Sequence, residues 1–205
     1  KKIELAIDFA YRLEKKYADK GMRKAIVLLI SGHSGDEQTE YKRFLIHHHV
    51  EQRKKYPDAN VILLFGENII LSHRDIIVDK KYYKFNEIPS VIAAKGGIGT
   101  YFSEVEGFGN NLLEMVSSGL PAVINKYNVY RDEIEPLGFR FPSIENLQLT
   151  EEMLDETFEL LTIYKRRNEL VRHNLEILHK KLGHRIIGGK LTPLITNIFT
   201  RTLKF

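Results

Sequence analysis

Two glutamates frame the stretch of this sequence best suited to chemistry. Residues 103–114 read Ser-Glu-Val-Glu-Gly-Phe-Gly-Asn-Asn-Leu-Leu-Glu, with Glu106 and Glu114 at either end of a glycine-rich turn. Gly107 and Gly109 let the backbone turn sharply and come close to a ligand. A helix then starts at Gly109 or Asn110, and its first N–H groups have no partners within the helix. Such a terminus holds an anion or a row of hydroxyl groups through backbone donors. Glu114 lies about one helical turn further on, so its carboxylate reaches a second part of the same ligand. A carboxylate at each end suits a polyol, because vicinal hydroxyls donate well to carboxylate oxygens.

A loop of this kind has to be carried at the carboxyl edge of a sheet. Apolar runs at residues 25–30 and 61–65, strand patterns at 98–102 and 122–125 and a short one at 139–141 alternate with helical periodicities at 2–19, 37–56, 86–94 and 109–118. Continuous apolar strands separated by helices belong to a parallel sheet covered on both faces. The stretch between residue 66 and residue 86 reads as irregular. Beyond about Thr150 only helical patterns follow, at 151–164, at 166–181 and from 185 onward, the last weakened by Gly188-Gly189 and Pro193. The expected fold is α/β: a doubly wound parallel sheet over residues 1–150, with a helical C-terminal extension over residues 151–205. In such sheets ligands bind beyond the carboxyl ends of the strands, which is where the 103–114 loop falls.

Composition narrows the classes. The 205 residues carry 31 Lys plus Arg against 27 Asp plus Glu, a net charge of +4, with 43 % hydrophobic and 28 % charged residues and no Cys. This is a globular balance that excludes a disordered tail or a disulfide scaffold. No apolar run approaches the roughly 18 residues that span a bilayer. The absence of Cys is compatible with a reducing compartment. The paired basic residues, Lys15-Lys16, Lys54-Lys55, Lys80-Lys81 and Lys180-Lys181, are dispersed along the chain. They read as solvated helix faces, so nucleic acid is not an expected partner.

With its surroundings, the loop resembles a known signature. Glu106-Gly107-Phe108-Gly109, then Glu114, then Gly119-Leu120-Pro121-Ala122-Val123 is similar to the Glu-x7-Glu pattern of retaining GT-B glycosyltransferases. It most resembles the family-four type that includes the sucrose-synthesising enzymes. Ala94-Lys95-Gly96, Asn125 to Tyr130 and Asp132 to Phe139 extend the likeness. The resemblance implies a Rossmann-like GT-B C-terminal domain that binds a nucleoside diphosphate sugar. It implies that Glu106 meets hydroxyls of the donor sugar and that Glu114 holds the ribose hydroxyls. The backbone of Gly107, Phe108, Gly109, Asn110, Asn111 and Leu112 would bind sugar hydroxyls and the diphosphate. Members of that family neutralise the leaving diphosphate with an Arg and a Lys and without a metal or other cofactor. Lys1 falls near the place of the Lys, with Lys2 as its neighbouring option, and the Arg has no counterpart in this sequence. The resemblance thus implies catalytic roles for Glu106 and Lys1. Asn110-Asn111 stand where many relatives carry apolar residues, and Asn favours helix starts.

The chain enters helical periodicity directly from Lys1-Lys2. The expectation is a piece of a longer protein, lacking the first strand of its domain and an N-terminal domain that supplies the acceptor site. The acceptor would be a sugar, a glycerate-like molecule or a lipid. A cytoplasmic location is expected, with peripheral contact to a membrane surface left open.

Other motifs carry less. Gly96-Gly97-Ile98-Gly99 precedes a strand instead of following one, so a dinucleotide fingerprint fails on order. Ser31-Gly32-His33-Ser34-Gly35 follows a strand and precedes a helix but lacks the end of a P-loop. Gly32 and His33 either line the donor cleft or only turn the chain. Arg74, with Ser72 and His73, is a candidate for the nucleotide base pocket. His47-His48-His49 suggests a metal, yet helix neighbours point about 100° apart and cannot share one ion, so no metal site is expected. Two other functions stay open: a sugar-nucleotide-binding module without turnover, and a GT-B-fold epimerase or phosphorylase, whose own acid–base or cofactor-lysine motifs are not signalled.

Overall fold

The computed structural model describes residues 1–31, 38–66, 76–78, 81–183, 186, 188–189 and 192–193. Gly32, His33, Ser72, His73 and Arg74 lie outside the described residues.

Helix α1 (Ile3–Asp19) is the hub of the structure. Its apolar residues cover more than one stripe, so it packs in two directions. Ala6, Phe9, Leu13 and Tyr17 join Phe102, Val123, Ile144, Met153 and Leu154 in one cluster. Ile7, Ala10 and Tyr11 join Leu45 and Val61 in another. Strand β1 (Ile26–Ile30), helix α2 (Gln38–Lys55) and strand β2 (Val61–Phe65) form a parallel crossover unit, with Ile26 opposite Val61 and Ile30 opposite Phe65. Strand β5 (Gly99–Tyr101), helix α4 (Asn110–Ser117), strand β6 (Ala122–Asn125) and strand β7 (Ser143–Ile144) form a three-stranded parallel sheet in the order β5-β6-β7. β6 is central and buried along its whole length, as expected of a parallel strand covered on both faces. The parallel strands expected at residues 25–30, 61–65, 98–102 and 122–125 are therefore present, in two sheets joined under α1.

Between the two sheets the stretch read as irregular contains a small antiparallel hairpin, β3 (Ile76–Val78) with β4 (Lys81–Tyr83). Strands of three residues carry too little alternation to stand out in a sequence. A 3₁₀ turn (Phe85–Glu87) leads into helix α3 (Ile88–Ala94). Gly96, at φ +77°, then reverses the chain, and the Gly97 N–H donates to the Ile92 carbonyl at 2.9 Å. This closes a Schellman cap, so the glycines before β5 end a helix and cradle no phosphate.

The expected strand at residues 139–141 is absent; the strand forms at Ser143–Ile144 instead. The backbone of Arg140 is occupied elsewhere: its N–H donates to the Asn174 side chain at 2.9 Å, and its carbonyl accepts from the same amide at 2.7 Å. Upstream, a π-helical turn (Tyr130–Ile134) and a 3₁₀ turn (Glu135–Leu137) compact the chain. Helix α5 (Glu151–Thr162) begins at Thr150, whose side chain accepts from the Met153 N–H, and packs Met153 and Leu154 beneath α1. Helix α6 (Tyr164–Leu182) lays Ile177, Leu178 and Leu182 against the cluster around α4 and β6. Among the described residues, no helix is long and apolar enough to cross a membrane.

Candidate functional site

The 103–114 loop leaves the carboxyl end of β5, beside the carboxyl end of β6, because the parallel register sets Tyr101 opposite Ile124. Helix α4 starts at Asn110, with Gly109 as its N-cap at φ +94° and ψ +41°. That conformation strongly favours glycine, and a Cβ on Gly109 would overlap the Tyr127 hydroxyl. Tyr127 rises from the end of β6 and donates its hydroxyl to the Phe108 carbonyl at 3.3 Å. The glycine turn is therefore shaped from below by a buried tyrosine.

At the helix start, Asn110 and Asn111 are exposed. Leu112 donates its N–H to the Gly109 carbonyl at 2.9 Å and buries its side chain completely. The first-turn donors left to face a ligand are those ahead of Leu112. Phe108 is partly exposed on the loop, and Val105 is almost fully so.

Glu106 is the better-held of the two glutamates. Its side chain keeps 22 % of its exposure. Ser103 donates its hydroxyl to Oε1 of Glu106 at 2.7 Å, and the Lys1 ammonium lies 4.0 Å from the same oxygen. Lys1 also sits over the Tyr101 ring, 5.2 Å from its centre. The neighbouring Lys2 takes a different direction: its ammonium pairs with Glu104 at 3.3 Å, and its N–H donates to the Phe102 carbonyl at 2.7 Å. Glu114 is exposed on α4, close enough for its charge to act on Tyr101. The structure thus gathers Lys1, Glu106, the glycine turn and Glu114 around one strand end.

Four residues of this neighbourhood were given no role of their own by sequence reasoning. Tyr101 is buried; burial first, then the charge of Glu106, pushes its hydroxyl far above the ordinary tyrosine range. Burial and the charge of Glu106 push Tyr127 up to about 12. Ser103 is completely buried, and its carbonyl accepts from the Asn125 side chain at 2.8 Å. Asn125, itself buried at the end of β6, also accepts the Leu147 N–H at 3.0 Å. Ser103 had a local signal, lying three residues before Glu106. The others arrive from strand ends, and only the register brings them in.

The start of α1, where Lys1 sits, is pinned by α2. The Tyr41 hydroxyl donates to the Glu4 carboxylate at 2.6 Å and accepts the Ile3 N–H at 3.0 Å. The histidine run on α2 serves the same helix pair. His48 bonds Asp8 at 2.6 Å, and His49 faces the Tyr11 hydroxyl at 3.2 Å. The two rings thus go to different partners on α1, as their angular separation requires.

Comparison with known proteins gives a consistent picture. No protein-family model matches the chain. Over 198 residues it is 28 % identical to the mannosylglucosylglycerate synthase of Thermotoga maritima, an alignment covering 86 % of this chain and 42 % of that protein. It is 44 % identical over 45 residues to the mannosylglucosylglycerate synthase of Petrotoga mobilis, covering 22 % of this chain and 10 % of that protein. The chain thus spans less than half the length of these curated relatives. Among solved structures it is similar to the C-terminal domain of a glycosyl transferase group 1 family protein from Francisella tularensis. The TM-score is 0.54 at 20 % identity, over 89 % of this chain and 80 % of that one. The fold is α/β with parallel sheets and a helical tail, that of a GT-B C-terminal domain.

Proposed function

We propose that this chain is the donor-binding part of a retaining GT-B glycosyltransferase that takes a nucleoside diphosphate sugar. The observation that carries the proposal is the loop at the carboxyl end of β5. It sets Glu106, a left-handed glycine turn and the start of α4 side by side, with Glu114 further along the same helix. In this reading Glu114 takes the ribose hydroxyls and Glu106 takes hydroxyls of the sugar. The first-turn N–H groups of α4 and the Lys1 ammonium face the diphosphate. Transfer breaks the bond between the anomeric carbon and the diphosphate oxygen while the acceptor oxygen bonds on the same face. The acceptor proton leaves with the diphosphate. Fixed donors aimed at the departing charge lower the barrier without having to reorganise.

The likeness to mannosylglucosylglycerate synthases supports a mannosyl or glucosyl donor and an acceptor of the glycerate class. In the proposed organisation, residues 1–150 form the nucleotide-sugar domain and residues 151–205 a helical extension. A second domain of the longer protein brings the acceptor, in keeping with a chain that spans less than half the length of its curated relatives. The placement of α1 supports residues 1–150 as one unit, since it packs on residues from both sheets, Ile26 and Leu28 on one side and Ile98 and Phe102 on the other.

Calorimetry with UDP, GDP, UDP-glucose and GDP-mannose tests the proposal. Binding of a nucleoside diphosphate in EDTA is expected, because backbone donors and Lys1 supply the positive potential. Binding seen only when Mg²⁺ or Mn²⁺ is added would overturn the metal-independent reading, and no binding of any probe would overturn the donor site.

A further inference from the structure

Two buried hydroxyls of this protein are used in opposite ways. Thr157 and Ser103 are both fully buried. Thr157 donates to the Met153 carbonyl one turn back in its own helix, at 2.7 Å, a local bond that serves α5 alone. Ser103 instead sends its hydroxyl out of the core, to a carboxylate that remains partly open to solvent. A buried hydroxyl stabilises little where an alanine would pack as well, since it has to be desolvated before it bonds. The bond from Ser103 therefore adds direction rather than core stability.

The direction is fixed from behind. The Ser103 carbonyl is held by the Asn125 amide, and the same amide group accepts the Leu147 N–H. Leu147 has φ +59°, and Asn146 before it has φ +51°. Left-handed backbone is uncommon for leucine, so the contact to Asn125 helps hold a turn that would otherwise relax. The contrast with Asn174 is informative: that buried amide spends both of its groups on one residue, Arg140, and ties α6 to a passing segment. Asn125 joins two separate loops at the carboxyl edge of the sheet. The chain of contacts runs from the turn at Leu147 through Asn125 and Ser103 to Oε1 of Glu106. Tyr101 is buried beside it, close enough to feel the charge of the same carboxylate.

We propose that Ser103 is the positioning residue for Glu106: its hydroxyl, carried on a backbone that the Asn125 amide holds, keeps the carboxylate in the orientation that meets the hydroxyls of the donor sugar. This rests on the nucleotide-sugar reading of the site. A free glutamate samples many rotamers, and freezing it on ligand binding costs side-chain entropy. Holding it beforehand removes most of that cost, about a tenfold gain in affinity, confined to ligands that touch Glu106.

The test uses Ser103→Ala and Ser103→Thr, the second keeping the hydroxyl. The first readout needs no ligand. In a crystal structure of Ser103→Ala the Glu106 carboxylate is expected to leave its position, while in Ser103→Thr it stays. A carboxylate unmoved in Ser103→Ala overturns the proposal whatever the protein binds. The second readout is calorimetry with UDP and GDP against UDP-glucose and GDP-mannose. Ser103→Ala should weaken the sugar nucleotide about tenfold and leave the bare nucleoside diphosphate within twofold, and Ser103→Thr should restore the difference. Equal losses for both ligands, with a lower melting temperature, would show that Ser103 only supports the loop and would overturn the proposal. If Glu106 moves in Ser103→Ala but the unmodified protein binds none of the probes, the positioning contact stands and the nucleotide-sugar reading falls.

Discussion

Gly109→Ala separates two penalties that the structure superimposes at one residue. At φ +94° an alanine is strained by its own backbone, about 1–2 kcal/mol for a left-handed L-residue. Its Cβ would also overlap the Tyr127 hydroxyl, and forcing an extra carbon into packed surroundings costs about 1–3 kcal/mol. The single substitution should therefore destabilise the protein by about 2–5 kcal/mol. Tyr127→Phe removes the hydroxyl and its bond to the Phe108 carbonyl, at about 0.5–1.5 kcal/mol. In the double variant the space is free, so only the backbone strain and the lost hydrogen bond remain, about 1.5–3.5 kcal/mol. A double-mutant cycle in urea should thus show that Tyr127→Phe relieves Gly109→Ala by about 1–3 kcal/mol. Simple additivity would refute the argument that Tyr127 shapes the turn. Binding of UDP or GDP, followed in parallel, should fall with Gly109→Ala and recover only in part in the double variant, because the turn keeps its strained φ.

The two glutamates should separate by ligand: Glu114→Ala is expected to weaken nucleoside diphosphate and sugar nucleotide alike, about tenfold to hundredfold, while Glu106→Ala weakens only the sugar nucleotide. Equal losses for both ligands with Glu106→Ala would contradict its sugar-only role, and melting curves control for folding. Alkaline pH should destabilise the fold through its tyrosines. Burial raises Tyr41 and Tyr127 to about 12, and Tyr101 and Tyr130 further, above an unfolded value near 10. The folded state then binds more protons than the unfolded one above pH 10, so this stability is complete below about pH 10 and is lost as pH rises through 12. Urea midpoints at pH 9, 10.5 and 11.5 should fall in that order, and a flat series would refute the burial of these hydroxyls.

Periodicity made the helices and the parallel strands legible, because their apolar patterns are local: α1, α2, α4, β1, β2 and β6 stand within a residue or two of where the sequence sets them. The chemistry-bearing loop was legible for the same reason, since Glu106, the two glycines and Glu114 are neighbours along one turn and one helix. The hairpin at Ile76–Val78 and Lys81–Tyr83 was too short to show a period. The strand expected at 139–141 failed because its backbone partner is a side chain from α6, 34 residues away in sequence. The second layer of the site was hidden by the same kind of distance. Asn125 lies 22 residues from Ser103, and Tyr127 19 residues from Phe108. In the sequence each is an ordinary polar or aromatic residue at the end of a strand. They meet only because β5 and β6 run parallel in a fixed register, and that register is set by the packing of α1 and α4 on the sheet. Residue type and spacing thus determined that two carboxylates and a glycine turn lie together on one loop and one helix. The tertiary structure decided which of them are held: Ser103 holds Glu106 from within the core, and Glu114 stands out on its helix.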